Sequence, residues 1–458
     1  MRTTPLAISL FCLTLLGGCA SLLAPDYTRP ERPVPVTLDG QAGASETLPP
    51  LEWQRVITDD RLKQTVALAL ENNRDLRIAA LNIEKARAQY RITDADRYPA
   101  VDATLGGSSS RYEGTITRKY SATLGVTAYE LDFFGRLANL SESALQSVLA
   151  TEATQRSVRS SLIAEVADAW LTLAAYQDLL KLAKETQASR QKTLELTQKQ
   201  LSLGGTSRLT VAQAQATTES ARGDVALYTA QVAQARNALD LLAGTSVPAS
   251  LLPEESAGLG QSAVALVEVP EGLSSEVLLR RPDIVSAEHT LIGAHADIGA
   301  ARAAFFPSIT LTGSGGSASP SLNTLFDAGT RAWSFVPTLT LPIFNAGALS
   351  ASLSAAEVSR DIQVATYEKT VQTAFQEAAD ALAVRSTLNE RMAAQQAEVA
   401  AYATSLRLST ERYRSGAESY LTVLDSQRSL YAAQTLLITL QRTEQSNRMT
   451  LFKVLGGE

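Results

Sequence analysis

The chain is poor in most residue types that carry chemistry. Its 458 residues include two cysteines, Cys12 and Cys19, two histidines, His289 and His295, and three methionines. Cys12 falls in a segment expected to be removed, which leaves no thiol pair for a disulfide or a redox centre. The histidines stand six apart on a predicted helix and so on different faces, which argues against a metal site. No phosphate-cradling glycine loop or serine nucleophile elbow stands in a fitting context. No catalytic residue, metal or cofactor is therefore expected, apart from a covalent lipid described below. Aromatic residues make up only 6%, whereas Ala, Gln, Ser, Thr and Leu abound, a usage that suits long helices packed through small side chains. The net charge of −6 and the lack of Lys/Arg-rich runs argue against nucleic-acid binding. After Cys19 no run of about eighteen apolar residues occurs, so no helix is expected to cross a membrane. If the chain spans a bilayer, it does so with strands.

What is present begins with a leader. Arg2 precedes an apolar run from Leu6 to Leu16, followed by Gly17-Gly18-Cys19. A charged start, a short apolar stretch and small residues at the end define a secretory signal over residues 1–18. A cysteine directly after the small residues resembles a bacterial lipobox, in which Cys19 becomes the acylated first residue. Ala20 stands where retained inner-membrane lipoproteins usually carry aspartate, so the resemblance implies sorting to the outer membrane. A single lipid anchors weakly unless other contacts add to it.

The chain then says nearly the same thing twice. Arg97-Tyr-Pro-Ala-Val is answered by Phe305-Phe-Pro-Ser-Ile, and Leu131-Asp-Phe-Phe-Gly by Leu341-Pro-Ile-Phe-Asn. Glu165-Val-Ala-Asp returns as Glu377-Ala-Ala-Asp, Leu209-Thr-Val as Leu421-Thr-Val, and Gly244 as Gly456. The offset drifts only from about 208 to about 212 residues, too long for a solenoid unit, and marks a duplicated half-protein. Each half reads as strand, strand, very long helix, tight turn, helix.

Four segments alternate with period two: Tyr98–Ser110, Tyr120–Glu130, Phe305–Thr312 and Trp333–Leu341. In the second, Tyr120, Ala122, Leu124, Val126 and Ala128 fall on one side. Apolar on one face and ended by aromatics, these runs match transmembrane barrel strands. Four strands cannot close, and an open edge is intolerable in hydrocarbon. Two, three or four copies must then share a barrel, and because an eight-stranded barrel is filled by side chains, a pore needs at least three.

The helices set a second constraint. From Arg136 to Leu203 and from Ala346 to Arg414 there is no proline, and a helix of about 67 residues runs roughly 100 Å. Each ends in a small-residue turn, Gly204-Gly205-Thr206-Ser207 or Ser415-Gly416-Ala417-Glu418, and the chain returns over about 40 residues to Gly244 or Gly456. Asp59–Arg97 and Ser275–Ala304 are also predicted helical and supply the missing length. The expected sum is a tube of helices hanging below a small barrel, with the Pro/Gly-rich segments 27–58 and 245–272 girdling its middle.

These residues resemble the trimeric outer-membrane efflux factors typified by TolC, most closely the lipidated OprM-like drug-efflux branch. The resemblance rests on Tyr129-Glu-Leu-Asp-Phe-Phe-Gly-Arg136, Leu278-Leu-Arg-Arg-Pro-Asp-Ile284, Ile298-Gly-Ala-Ala-Arg-Ala-Ala-Phe-Phe-Pro307, Thr373-Ala-Phe-Gln-Glu-Ala-Ala-Asp380 and Tyr420-Leu-Thr-Val-Leu-Asp-Ser-Gln-Arg-Ser-Leu430. It implies an α+β membrane protein: a homotrimer sharing a 12-stranded β-barrel, four strands per chain, continued by a long periplasmic α-helical coiled-coil tunnel. The corresponding division is 1–18 signal peptide, 19–58 lipidated N-terminal and equatorial segment, 59–244 first repeat, 245–271 equatorial connector and 272–458 second repeat. The implied partners are a periplasmic adaptor (membrane fusion) protein, an inner-membrane resistance-nodulation-division transporter and outer-membrane lipid. The implied task is passive export of drugs or other small toxic compounds through the outer membrane of a Gram-negative bacterium.

Two sites follow. Leu421, Asp425 and Arg428 lie at i, i+4 and i+7 on one helix stripe, whereas their first-half counterparts are Leu209, Gln213 and Ala216. The family places its periplasmic gate on this motif, and threefold symmetry would gather three copies of each charge at the narrow end. On an isolated helix the same pair is worth only a few tenths of a kcal/mol. The turns Gly204–Ser207 and Ser415–Glu418 expose backbone beside small side chains, and the resemblance implies that they dock the adaptor. A channel of the same architecture for metal-ion efflux or protein secretion is the alternative function; a lipid-anchored structural coiled coil that never spans the membrane is the other.

Overall fold

A computed structural model describes residues 23–38, 49, 51–254, 263–270 and 272–458. The expected signal peptide and Cys19 lie outside the described residues. Numbering only the longer elements, the order is α1 (Asp60–Asn72), α2 (Arg74–Ala95), β1 (Val101–Tyr112), β2 (Thr115–Leu131), α3 (Arg136–Ser202) and α4 (Arg208–Ala243), then α5 (Pro282–Ala303), β3 (Ser308–Ser319), β4 (Arg331–Thr340), α6 (Ala348–Arg414) and α7 (Tyr420–Val454). Among the described residues no helix is long and apolar enough to cross a membrane. The described residues form two compact units, one of those within 23–31, 81–153 and 285–370, the other of those within 32–80, 154–284 and 371–458.

The first unit holds the four expected strands in one antiparallel sheet of order β1-β2-β3-β4. Glu113 and Gly114, both at positive φ, make the two-residue turn that joins β1 to β2, with the twist such hairpins require. Two expectations need correction. The strands begin after Pro99 and Pro307, not at Tyr98 and Phe305: the Tyr98 and Phe306 N–H groups close helical turns onto the carbonyls of Ala95 and Ala303 (3.0 and 3.1 Å), and proline has no N–H to lend a ladder. Second, Ala128 does not continue the apolar row of β2. The register slips between Val126 and Tyr129, and Ala128 sits at φ +51, so a bulge resets the alternation there. In the same unit α5 lies on the start of α3, with Ser286 Oγ donating to the Ala150 carbonyl (2.9 Å) and His289 Nδ1 meeting Gln146 Oε1 (2.7 Å). His295 instead meets the Tyr27 ring edge-on at 5.6 Å.

The second unit corrects the predicted continuous helices 59–97 and 275–304. Asn73 breaks the first with an extended backbone, ψ 133°; its Oδ1 caps α2 at Leu76 N–H and its Nδ2 donates to the Leu242 carbonyl at the end of α4 (both 2.9 Å). Arg281, at the same ψ, ends a 3₁₀ stretch Ser275–Arg280 because Pro282 disfavours helix before it. Its guanidinium reaches the Val454 carbonyl at the end of α7 (3.4 Å). Each elbow is thus pinned to the end of its own half's return helix. Gly244, at φ +70, passes so close that a Cβ there would stand 2.2 Å from the Asn72 carbonyl oxygen. The apolar core of this unit includes Leu62, Ile163, Leu171, Leu239 and Phe452, all fully buried. The flanking segments pair with each other through bridges Thr37↔Ser274 and Ile57↔Val264.

Candidate functional site at the hairpin ends

The two helix hairpins α3–α4 and α6–α7 end in turns built alike. Gly204 N–H bonds to the Leu201 carbonyl (3.0 Å) and Gly205 N–H to Gln200 (2.8 Å); Gly416 bonds to Tyr413 (3.0 Å) and Ala417 to Arg412 (2.9 Å). That pair of bonds is the Schellman closure, which needs a left-handed residue after the helix, and Gly204 and Gly416 supply it at φ +74 and +77. Gly205 is different: its φ is ordinary, and a Cβ added there would meet only the Gln200 carbonyl oxygen at 3.5 Å. Around the turns, Leu194 and Ala214 of the first hairpin share one core with Tyr420 and Val423 of the second.

The turns differ in charge. Ser207 caps α4 by accepting from Thr210 N–H (3.2 Å), and Thr206 is neutral. At the equivalent place Glu418 accepts from the Thr422 hydroxyl (3.0 Å) and pairs with Arg412 (3.4 Å). The Thr422 hydroxyl first, then the Ser419 backbone N–H and Arg412, hold the Glu418 carboxyl below its ordinary value of 4.5. Only the second turn therefore presents fixed charge.

On α7, Leu421, Asp425 and Arg428 line a groove of about 370 Å³ whose other wall is Ala216, Thr217, Ser220 and Asp224 of α4. Leu421 is 63% exposed, and Asp425 pairs with Arg428 at 2.6 Å across one turn with both side chains open to water. The first-half counterpart Leu209 is exposed too, but with Gln213 and Ala216 below it that hairpin carries no matching pair.

The groove also contains residues that the sequence reading missed. Arg190 of α3 is buried, donates to the Thr217 carbonyl (2.9 Å) and lies 5.6 Å from the Tyr431 ring centroid. Burial lowers its pKa from the ordinary arginine value, opposed by Asp224. Burial, and then the Asp224 charge, raises that of the Tyr431 hydroxyl. Tyr431 follows Arg428 by three residues, so extending the stripe one more turn would have found it.

With this geometry in view, two segments, residues 65–245 and 273–457, match the outer membrane efflux protein family. The chain belongs to that family. It is 46% identical over 99% of its length to the probable efflux pump outer membrane protein TtgC of Pseudomonas putida, covering 94% of that protein. It is 42% identical to the cation efflux system protein CusC of Escherichia coli, with 99% of each chain covered. Among solved structures, CusC superposes with a TM-score of 0.88 at 42% identity over 95% of this chain and all of that one. The open state of the Neisseria gonorrhoeae MtrE outer membrane channel gives 0.86 at 38% identity, covering 95% of this chain and 98% of that one. The chain is accordingly a transport protein, an efflux channel component of a Gram-negative outer membrane.

Proposed function

We propose that the chain is the exit duct of a tripartite pump, carrying drugs or other small toxic organic compounds passively across the outer membrane. The observation that carries this reading is the sheet. Its four strands leave β1 and β4 unpaired on their outer edges, and Val101, Leu105, Leu124, Trp333, Phe335 and Leu339 stand exposed. Unpaired edges cannot stand in lipid, so copies must close on one another, and three copies of four strands make a 12-stranded barrel wide enough for a pore. Each repeat, 59–244 and 272–458, linked by 245–271, contributes two barrel strands and a long helix hairpin of the periplasmic tunnel.

In this reading Leu421, Asp425 and Arg428 form the periplasmic gate. The groove supports it: the pair is solvent-exposed and free to exchange its partner within the chain for one on a neighbouring copy. The turns Gly204–Ser207 and Ser415–Glu418 dock a periplasmic adaptor protein, which links the duct to an inner-membrane resistance-nodulation-division transporter. Cys19, following the 1–18 signal, carries the lipid that anchors the start of segment 19–58 in the outer membrane, and the rest of that segment is equatorial. Similarity to a toluene efflux pump outer membrane protein at 46% identity favours organic cargo, and similarity to CusC favours cations as the second reading. The three methionines, one of them the initiator, supply few soft ligands for a copper or silver path. A strain lacking this gene, tested against antibiotics, dyes, detergents, copper and silver, decides. Sensitivity to the organic compounds supports drug export; sensitivity to the metals alone supports the cation reading.

A further inference from the structure

One arginine ties the two hairpins together beside the exposed pair. Arg190 of α3 is 9% exposed, and among the described residues no carboxylate stands within ion-pair distance of its guanidinium. The group instead reaches two other helices, donating to the Thr217 carbonyl of α4 (2.9 Å) and lying 5.6 Å from the Tyr431 ring centroid of α7. Burying a charge without a paired partner is unfavourable. One turn nearer the hairpin end, the same stripe of α3 carries Leu194, packed with Ala214, Tyr420 and Val423. An arginine thus stands in a seam that an apolar side chain would close more firmly. What it touches on α7 is next to the gate pair. Residues three apart on a helix lie about 60° from each other round the axis, so whatever holds Tyr431 also fixes where Arg428, and then Asp425, project.

We propose that Arg190 is a positioning residue of the gate: its guanidinium holds α7 against α4 in the closed duct, and opening releases that hold. This inference rests on the gate reading of Asp425 and Arg428 and adds the group that aims them. The chemistry suits a hold that can be undone. A leucine at 190 would extend the apolar seam of Leu194 and leave nothing to draw the helices apart. The guanidinium is held by one neutral acceptor and one ring face, in a groove of about 370 Å³ whose Asp425 and Arg428 side chains are open to water. Asp224, two turns along α4 from Thr217, lines the same groove and its charge favours the cation, so a freed guanidinium has both water and a carboxylate to receive it. One charge with two places to rest is the discrete two-state element that a gate requires.

Single-channel recording of the full chain in planar bilayers tests this through non-additivity. Arg190→Ala is expected to shift the unit conductance upward, toward that of the Asp425→Ala, Arg428→Ala variant. The triple variant is expected to conduct no more than that double one, because a residue that acts by aiming the pair has nothing left to aim. Arg190→Lys keeps a cation for the Tyr431 ring and a donor for the Thr217 carbonyl, and is expected to restore most of the unsubstituted conductance. Three results overturn the proposal and leave the gate standing: unchanged conductance in Arg190→Ala, a lysine variant as open as the alanine one, or a triple variant that exceeds the double by the full Arg190→Ala increment. Unchanged conductance in the double variant removes the gate reading, and this inference with it. Where Arg190→Ala yields no trimers, Tyr431→Leu, which removes the ring face and keeps apolar volume, is judged by the same outcomes.

Discussion

Gly205 offers a clean separation of docking from folding. A tryptophan there occupies open space: the residue lacks positive φ, and the nearest atom to a new Cβ is the Gln200 carbonyl oxygen at 3.5 Å, ordinary contact. The expected cost to stability is that of an exposed surface change, within about 0.5 kcal/mol. The same replacement at Gly416 forces a side chain into φ +77, a strain of about 1–2 kcal/mol, and confounds assembly with docking. Gly205→Trp is therefore expected to leave heat-modifiable trimers at normal yield and dissociation temperature while abolishing drug resistance in a complemented deletion strain. Gly205→Ala, which adds one methyl, should retain most resistance. Normal resistance with Gly205→Trp at normal abundance refutes the docking role of the first turn.

Two further outcomes concern ion pairs. Arg281 is 7% exposed and bonds both Asp283 and Glu377 at 2.7 Å; Arg281→Met should cost about 2–3 kcal/mol, less than for a fully buried triad because both carboxylates keep water access, read as a lower dissociation temperature. Glu418 is held below its ordinary carboxyl value, so its contribution to the second turn is complete above that value and disappears as pH falls through and below it. Protection of the amides of residues 415–419, taken relative to the intrinsic exchange rate at each pH, should fall on acidification from about pH 5 to about pH 3, and Glu418→Gln should remove that fall while leaving protection in the first turn unchanged.

Element order was legible because duplication lets each half check the other and because 67 residues without proline leave few readings besides a long helix. The α3 boundary came within one residue of Leu203. At α6 the helix starts at Ala348, since Ala346 and Gly347 hold positive φ and shape its entry. The breaks were harder. Pro282 signals the elbow at Arg281, but Asn73 carries no proline, and its role depends on the distant Leu242 carbonyl. The bulge at Ala128 likewise follows from pairing with β3 across a large sequence separation, which periodicity within β2 cannot contain. Of the candidate site, the stripe Leu421, Asp425, Arg428 was readable by helical spacing. Arg190 was not, because a buried arginine in a polar stretch of helix looks like a solvated one until α4 and α7 cover it.

In the proposed duct, Asp425 and Arg428 close a shared pore at the hairpin ends, and single-channel recording reads that closure directly. The detergent-purified full chain and its Asp425→Ala, Arg428→Ala variant are each placed in a planar bilayer. Discrete channels are expected from both, with clearly larger conductance from the variant because the exposed pair that narrows the mouth is gone. Equal conductance contradicts the gate, and silence from both preparations contradicts the duct.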